Sequence, residues 1–186
     1  MIYFYIGTTG SGKTTKAFSD CSQHIKDNGN PALIIDSQGV APLAGVIHYD
    51  SWQAAARAIW NDKNRTNAAF IPKMSSEVES LFHLARTLRN VNIILDEAAF
   101  WLSARHVPKP IELAFRTHLH TGLVILGTSQ HASDLSPLVY QTLTGLYVFR
   151  CTSPRVLDRL QKEYGIEREK VQNLPRGESI YMGGGF

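Results

Sequence analysis

One stretch of the sequence has the residue types and the spacing needed to bind a nucleotide polyphosphate. Residues 7–14 read Gly-Thr-Thr-Gly-Ser-Gly-Lys-Thr and match the pattern G-x-x-x-x-G-K-[ST] at every fixed position. The glycines let backbone N–H groups turn toward phosphate oxygens, and the following helix adds its positive dipole end. Lys13 supplies a charge for the β and γ phosphates, and the Thr14 hydroxyl is a ligand for Mg²⁺. We therefore predict a site for ATP and Mg²⁺ whose phosphate contacts come from Thr8, Thr9, Gly10, Ser11, Gly12, Lys13, Thr14 and Thr15.

Two adjacent carboxylates follow an apolar run farther along the chain. Residues 91–95 read Val-Asn-Ile-Ile-Leu, and Asp96 and Glu97 come directly after them. The carboxyl ends of strands carry the ligand site in open α/β sheets, so Asp96 is predicted to hold Mg²⁺ there. Glu97 is suited to polarise a water for attack on the γ phosphate, which favours hydrolysis over transfer to a bound acceptor. A helix cap or a surface pair is the alternative, and the phosphate loop in the same chain disfavours it.

A third polar group follows the apolar run at 123–127. This run is followed by Thr128, Ser129 and Gln130. We predict that Gln130 hydrogen-bonds the γ phosphate and the attacking water, and so distinguishes bound ATP from bound ADP. A turn or a helix cap is the alternative for these three residues. Asp134 and Ser136, next to a proline, are interpreted as caps of the helix that follows them.

The three motifs lie within a repeated alternation of apolar strands and helices. Strands are predicted at 2–6, 32–36, 46–49, 68–71, 92–96, 123–127, 146–150 and 178–182, and helices at 13 to about 26, 51–60, 76–89, 111–120 and 154–164. This alternation is typical of an α/β fold with a mostly parallel central sheet flanked by helices. We predict one domain over residues 1–182 and a flexible tail at 183–186.

The composition indicates a soluble globular protein. The chain has 186 residues, a formal charge of +3 and 44% hydrophobic residues, and no apolar run approaches the roughly 20 residues that span a bilayer. The charge is too small to identify a nucleic-acid binder by itself, and it does not exclude one. The N-terminus lacks the features of a secretory signal. Cys21 and Cys151 have no metal-ligand spacing, so we interpret them as reduced structural thiols of a cytoplasmic protein.

The order of the motifs resembles the FtsK/HerA-like superfamily of nucleic-acid-translocating ATPases. The resemblance rests on GTTGSGKTT, IIDSQG at 34–39, IILDE at 93–97, GLVILGTSQHASDLSP at 122–137, LYVFRCTSPRVLDRL at 146–160 and NLPRGES at 173–179. Within that superfamily, the small size is similar to the genome-packaging ATPases of membrane-containing, double-stranded DNA viruses. The resemblance implies a P-loop NTPase with a RecA-like core, which assembles into a ring, usually a hexamer, and drives duplex DNA through its centre on ATP hydrolysis.

The resemblance also implies partners and an arginine that acts between subunits. In such rings, an arginine of one subunit contacts the γ phosphate held by its neighbour. Arg116 is the first candidate, with a solvated helix face as its alternative, and Arg150 and Arg155 are second candidates. The implied function is the packaging of a viral genome into a preformed capsid. The implied partners are duplex DNA and a capsid vertex or other virion proteins, in the host cytoplasm or attached to the virion.

Two small groups of basic residues are candidate DNA contacts, with a solvated surface as the alternative for each. The groups are Lys63, Arg65 and Lys73, and Arg105, His106 and Lys109. Two other functions stay open. One is a small nucleoside kinase, although two cysteines cannot form the four-cysteine zinc site that many thymidine kinases carry. The other is a related motor for conjugation or filamentous phage assembly.

Overall fold

A computed structural model describes residues 1–37, 39, 41–61, 66–103, 107–130, 133 and 135–183. The strands are β1 (Ile2–Ile6), β2 (Ala32–Ile35), β3 (Val46–Tyr49), β4 (Asn67–Phe70), β5 (Asn92–Leu95), β6 (Val124–Ser129), β7 (Gly145–Phe149) and β8 (Ser179–Gly183). The helices are α1 (Lys13–Asn28), α2 (Trp52–Asn61), α3 (Ser75–Leu88), α4 (Lys109–Thr121), α5 (Pro137–Thr142), α6 (Pro154–Tyr164) and α7 (Arg168–Gln172). A 3₁₀ turn spans Ala98–Phe100.

The described strands form one eight-stranded sheet in the order β3-β4-β2-β5-β6-β1-β7-β8. Neighbouring strands run parallel except for β8, which is antiparallel to β7. Helix α1 packs on one face of the sheet, and α2 to α7 contribute buried residues to the core on the other face. The predicted mostly parallel sheet flanked by helices is therefore confirmed.

The central strands β1, β5 and β6 bring the sequence motifs to one edge of the sheet. All three are largely apolar and buried, as expected for parallel strands that are covered on both faces. Strand β6 pairs with β1 on one side and with β5 on the other. Because the three strands run in the same direction, their carboxyl ends lie side by side. The residues at the end of β6 therefore lie between the phosphate loop and the acidic pair.

The predicted strands all occur, and the differences concern their ends. Strand β6 ends at Ser129, two residues beyond the predicted end, so Thr128 and Ser129 are strand residues with buried side chains. Strand β5 ends at Leu95, so Asp96 belongs to the connection that follows it. As a result, the buried side chains of Thr128 and Ser129 lie at the carboxyl end of the sheet, next to Asp96.

The predicted helices also occur, together with one short helix that the pattern did not indicate. The helix predicted after Ser136 is α5, which begins at Pro137, and the Ser136 hydroxyl caps it by accepting the N–H of Leu138 at 3.3 Å. The other predicted cap, Asp134, lies outside the described residues. Helix α7 has no predicted counterpart because it is short, polar and buries only Val171.

The last strand extends into the residues predicted to form a flexible tail. Gly183, predicted in a flexible tail, is instead the last residue of β8 and lies opposite Gly145, while 184–186 lie outside the described residues. Cys21 and Cys151 are both buried and free, in agreement with structural thiols. Among the described helices, none has the length and apolar character needed to cross a membrane.

Close packing beneath the site requires a glycine in β6. A Cβ at Gly127 would lie 2.5 Å from the Cζ atom of the fully buried Phe4 ring. We expect Gly127→Ala to lower the free energy of unfolding by about 1–3 kcal/mol, because overpacking forces side chains and backbone to shift. Urea unfolding measures this loss. The matched control is Gly183→Ala, whose Cβ meets nothing within 4 Å. Equal free energies of unfolding for the two variants would contradict the close contact between Gly127 and Phe4.

Candidate nucleotide site

The phosphate loop connects β1 to α1 and is hydrogen-bonded to the ends of two neighbouring strands. The N–H of Gly7 donates to the carbonyl of Ser129 at 3.2 Å, at the end of β6. The N–H and the hydroxyl of Thr8 both donate to the carbonyl of Arg150, at 2.9 and 3.0 Å, just after β7. The loop therefore has a fixed backbone path between β6 and β7.

The other end of the loop is packed against the turn that precedes β8. Gly12, the N-cap of α1, has a left-handed φ of 105°, and a Cβ on it would lie 2.9 Å from the Cα of Gly177. The N–H of Gly177 donates to the carbonyl of Ser11 at 2.9 Å. Only glycine fits at position 12, for both the backbone angle and the close approach. The Ser11 hydroxyl is buried and has no hydrogen-bond partner among the described residues, which suits a loop whose polar groups bind a ligand.

Lys13 lies in the first turn of α1 and is only 6% exposed. Burial lowers the pKa of the Lys13 ammonium, although the nearby carboxylates of Glu97 and Asp96 act in the opposite direction. The ammonium is therefore close enough to the acidic pair to interact with both of its members. Bound phosphates would add negative charge around this buried cation and so favour its charged form.

Asp96 is buried at the end of β5 and is held by two hydroxyl groups. The Ser37 hydroxyl donates to its Oδ2 at 2.6 Å, and the Thr128 hydroxyl donates to its Oδ1 at 2.9 Å. Sequence reasoning assigned no site role to Ser37. It follows β2, which pairs with β5, so its proximity to Asp96 becomes evident only from the order of the strands.

The residues around Asp96 fit a magnesium ion. Mg²⁺ is usually bound through one or two carboxylates, hydroxyls, waters and substrate phosphates, with oxygen as the ligand atom. Thr14 and Asp96 provide this donor set beside a loop suited to phosphate. Within the part of the chain that the structure describes, no cluster of three or more His, Cys, Asp or Glu side chains forms a different metal site. Thr14 and Asp96 stay the predicted ligands of Mg²⁺, and their oxygen donors fit that ion.

Glu97 adopts an unusual backbone conformation that its hydrogen bonds stabilise. Its φ and ψ are 48° and 59°, a left-handed conformation that costs a non-glycine residue about 1–2 kcal/mol. Its N–H donates to the Thr128 hydroxyl at 3.1 Å. Its Oε1 accepts the hydroxyl of Ser129 at 3.2 Å and the N–H of Gln130 at 2.9 Å. The carboxylate is thus fixed at the end of β6 with 5% of the residue exposed.

Gln130 connects the phosphate loop to Glu97. Its side-chain Oε1 accepts a hydrogen bond from the Thr9 hydroxyl at 2.5 Å, while its backbone N–H binds the Glu97 carboxylate. One residue therefore contacts both the loop and the acidic pair. This arrangement suits the predicted role of Gln130 in distinguishing bound ATP from bound ADP. A movement of the loop would shift Gln130, whose N–H is bound to Glu97.

The three candidate arginines lie in different places. Arg116 is exposed on α4 and pairs with Glu112 at 2.9 Å, and this bond is the main cause of the lowered pKa of Glu112. Helix α4 packs on the opposite face of the sheet from α1, the helix that begins at the phosphate loop, and Arg116 lies on its exposed side. Arg150 is exposed just beyond β7, and Arg155 is exposed in the first turn of α6. Arg116 therefore lies away from the phosphate loop of its own chain.

The candidate DNA contacts are described only in part. Lys73 is exposed, and Lys109 is exposed and pairs with Glu112 at 3.1 Å. The other four candidates lie outside the described residues: Lys63, Arg65, Arg105 and His106.

Comparisons with known proteins identify a family and a shared fold. The family described as Zonular occludens toxin (Zot) matches residues 1–150. The genome packaging NTPase B204 from Sulfolobus turreted icosahedral virus 2, solved in complex with ATP-gammaS, is similar in fold with a TM-score of 0.80 and 19% sequence identity. The similarity covers 98% of this chain and 91% of that chain. A comparison with curated protein sequences gives no match.

Two further solved structures show the same fold. The DNA-packaging ATPase B204 from Sulfolobus turreted icosahedral virus gives a TM-score of 0.76 and 19% identity, covering 98% of this chain and 91% of that chain. VirB4 of Thermoanaerobacter pseudethanolicus gives a TM-score of 0.63 and 8% identity, covering 97% of this chain and 86% of that chain. The fold is that of a P-loop NTPase, and the predicted resemblance to the superfamily that includes viral packaging ATPases is confirmed.

The Thr128 hydroxyl joins the two carboxylate residues, and its removal tests this link. We expect Thr128→Val, which keeps the shape but removes the hydroxyl, to lower the free energy of unfolding by about 1–3 kcal/mol, because buried polar groups lose their partner. Urea unfolding and titration with an ATP analogue measure stability and binding. Thr128→Ser is the matched control, since it retains the hydroxyl. If the valine variant is as stable as the serine variant, Thr128 does not support the acidic pair.

Proposed function

The chain belongs to the zonular occludens toxin (Zot) family, and from that premise we propose that it is an Mg²⁺-dependent ATPase that translocates double-stranded DNA. The similarity of fold to proteins described as a genome packaging NTPase and a DNA-packaging ATPase supports the choice of DNA. We propose further that the cargo is a viral genome, which the protein moves into a preformed capsid in the host cytoplasm. Proteins of the capsid vertex are the expected partners.

The observation that carries this proposal is the contact of Gln130 with both the phosphate loop and Glu97. A motor must couple the state of its nucleotide to movement, and this coupling needs a residue that responds to the γ phosphate. Gln130 meets that need because its side chain binds Thr9 of the loop. A kinase needs instead a base beside an acceptor hydroxyl, whereas Glu97 is bound at the end of β6 next to the loop.

Each residue of the site has a role in ATP hydrolysis under this proposal. The loop N–H groups and the Lys13 ammonium bind the β and γ phosphates. Bound Mg²⁺, held by Thr14 and Asp96, would neutralise charge on the phosphate oxygens. Glu97 accepts the proton of the attacking water, and the hydrogen bonds from β6 keep its carboxylate oriented for that step.

Self-association places a second chain at the open edge of this site. Phe100, three residues after Glu97, is 68% exposed although it is large and apolar, which suits a surface covered by another subunit. Arg116 lies on the surface of α4, away from its own phosphate loop, and we propose that it reaches the γ phosphate of a neighbouring subunit. Such a contact completes the site only in a ring, for which a hexamer is the expected form.

An ATPase assay with and without duplex DNA tests the function, with Glu97→Gln as the matched variant. We expect DNA to stimulate hydrolysis by the natural protein and ATP to drive displacement of a third strand from a triplex. Glu97→Gln should bind ATP with nearly normal affinity yet hydrolyse it at least about 100-fold more slowly, because the amide keeps the hydrogen-bonded oxygen but cannot accept the proton.

Three results would contradict parts of this proposal. Phosphorylation of added nucleosides, without DNA stimulation, would indicate a kinase. An ATPase rate that does not change when DNA is added would contradict the proposed DNA translocation. Weak ATP binding by Glu97→Gln would mean that Glu97 has a different role. A neighbouring major capsid gene would favour genome packaging over a motor for conjugation or filamentous phage assembly.

Mixed assemblies test the role of Arg116 between subunits. Arg116→Ala and Glu97→Gln subunits should each be inactive alone. When they are mixed, some interfaces pair an intact Glu97 with an intact Arg116, so part of the ATPase activity should return. Size-exclusion chromatography checks that both variants assemble. Intact assemblies without any recovery of hydrolysis would exclude Arg116 as the arginine that acts across the interface.

A further inference from the structure

A tight turn at residues 175–178 touches the phosphate loop directly. The N–H of Glu178 donates to the carbonyl of Pro175 at 3.2 Å, and Gly177 has a φ of 87°, which identifies a β-turn with glycine at its third position. The N–H of the same glycine donates to the carbonyl of Ser11 at 2.9 Å. The turn thus has a fixed backbone and a fixed position against the loop.

The turn lies on the side of the loop that faces away from the acidic pair. It joins α7 to β8, and β8 pairs with β7, which in turn pairs with β1. Asp96, Glu97 and Gln130 lie across β1 from the turn, at the ends of β5 and β6. If the γ phosphate lies beside Glu97, the sugar and the base of the nucleotide must leave the loop toward β7 and β8.

The second position of this turn is Arg176, and its side chain is exposed. Its backbone is part of a turn that is hydrogen-bonded to Ser11, so the side chain starts from a fixed point next to the loop of its own chain. A planar guanidinium packs well on aromatic rings and donates hydrogen bonds to hydroxyl groups. A sugar and a base provide both of these partners.

We propose that Arg176 binds the nucleoside part of ATP, that is its sugar and base, within the same chain. This assignment rests on the proposed function, because it requires ATP in the phosphate loop. It differs from the role of Arg116, because a contact with the sugar and base contributes the same binding energy in the ground state and in the transition state. Loss of Arg176 therefore weakens nucleotide binding without slowing hydrolysis at saturation.

The experiment compares Arg176→Ala with Lys170→Ala in the full chain. Lys170 is an exposed cation on α7, so its removal controls for the general loss of positive charge on this surface. Calorimetric titration measures the affinities for ATP, ADP and tripolyphosphate in the presence of Mg²⁺, and steady-state assays give KM and kcat for ATP. Thermal unfolding verifies that each variant is folded.

We expect Arg176→Ala to weaken ATP and ADP binding and to raise KM by about tenfold, with kcat and the affinity for tripolyphosphate unchanged. Arg176→Lys, which keeps the charge but loses the planar group, should remain several-fold weaker than the natural protein. Lys170→Ala should match the natural protein in every measurement.

Other outcomes overturn the proposal in distinct ways. Natural affinities in Arg176→Ala would exclude the contact while leaving the proposed ATPase intact. An equal loss for tripolyphosphate would place the guanidinium on the phosphates, and a fall in kcat alone would place it at the γ phosphate. Failure of the natural protein to bind ATP would refute both this inference and the proposed function.

Discussion

The burial of two adjacent carboxylates at the end of β5 is the constraint on which the site depends. Asp96 and Glu97 are 7% and 5% exposed, and a buried carboxylate is unfavourable unless it receives hydrogen bonds. Besides the Ser37 hydroxyl, the donors are the Thr128 and Ser129 hydroxyls at the end of β6 and the N–H of Gln130 directly after it. The acidic pair is therefore stable only if the end of β6 lies beside it. This requirement explains why an otherwise apolar strand ends in polar residues.

The same strand also stabilises the phosphate loop. On its other side, β6 pairs with β1, and the carbonyl of Ser129 accepts the N–H of Gly7 while the Gln130 side chain accepts the Thr9 hydroxyl. Loop and acidic pair are thus connected through a single short segment rather than through a long path. Under the proposed function, this short connection is how the presence of the γ phosphate affects the orientation of Glu97.

The order of the strands also divides the loop into two sides with different chemistry. The side toward β5 and β6 carries the carboxylates and Gln130. The side toward β7 and β8 carries backbone anchors, namely the Arg150 carbonyl and the turn that contains Gly177. Under the proposals made above, the first side binds the reacting phosphate and the second side binds the sugar and base. The close approach of Gly12 to Gly177 keeps the turn against the loop, so the two sides are assembled by packing as well as by hydrogen bonds.

The local parts of the site could be predicted from the sequence. The phosphate loop, the acidic pair and the polar end of β6 are short patterns next to apolar runs, and the alternation of strands and helices indicated the class of fold. Four features could be seen only in the folded protein: β6 lies between β1 and β5, Ser37 binds Asp96, Glu97 is left-handed, and the turn before β8 touches the loop. The hydrogen bonds behind these features join residues that are 31 or more positions apart, and they depend on which strands pair. Apolar strands covered on both faces look alike in sequence, so their order is set by the packing of the whole sheet and its helices and not by any local pattern.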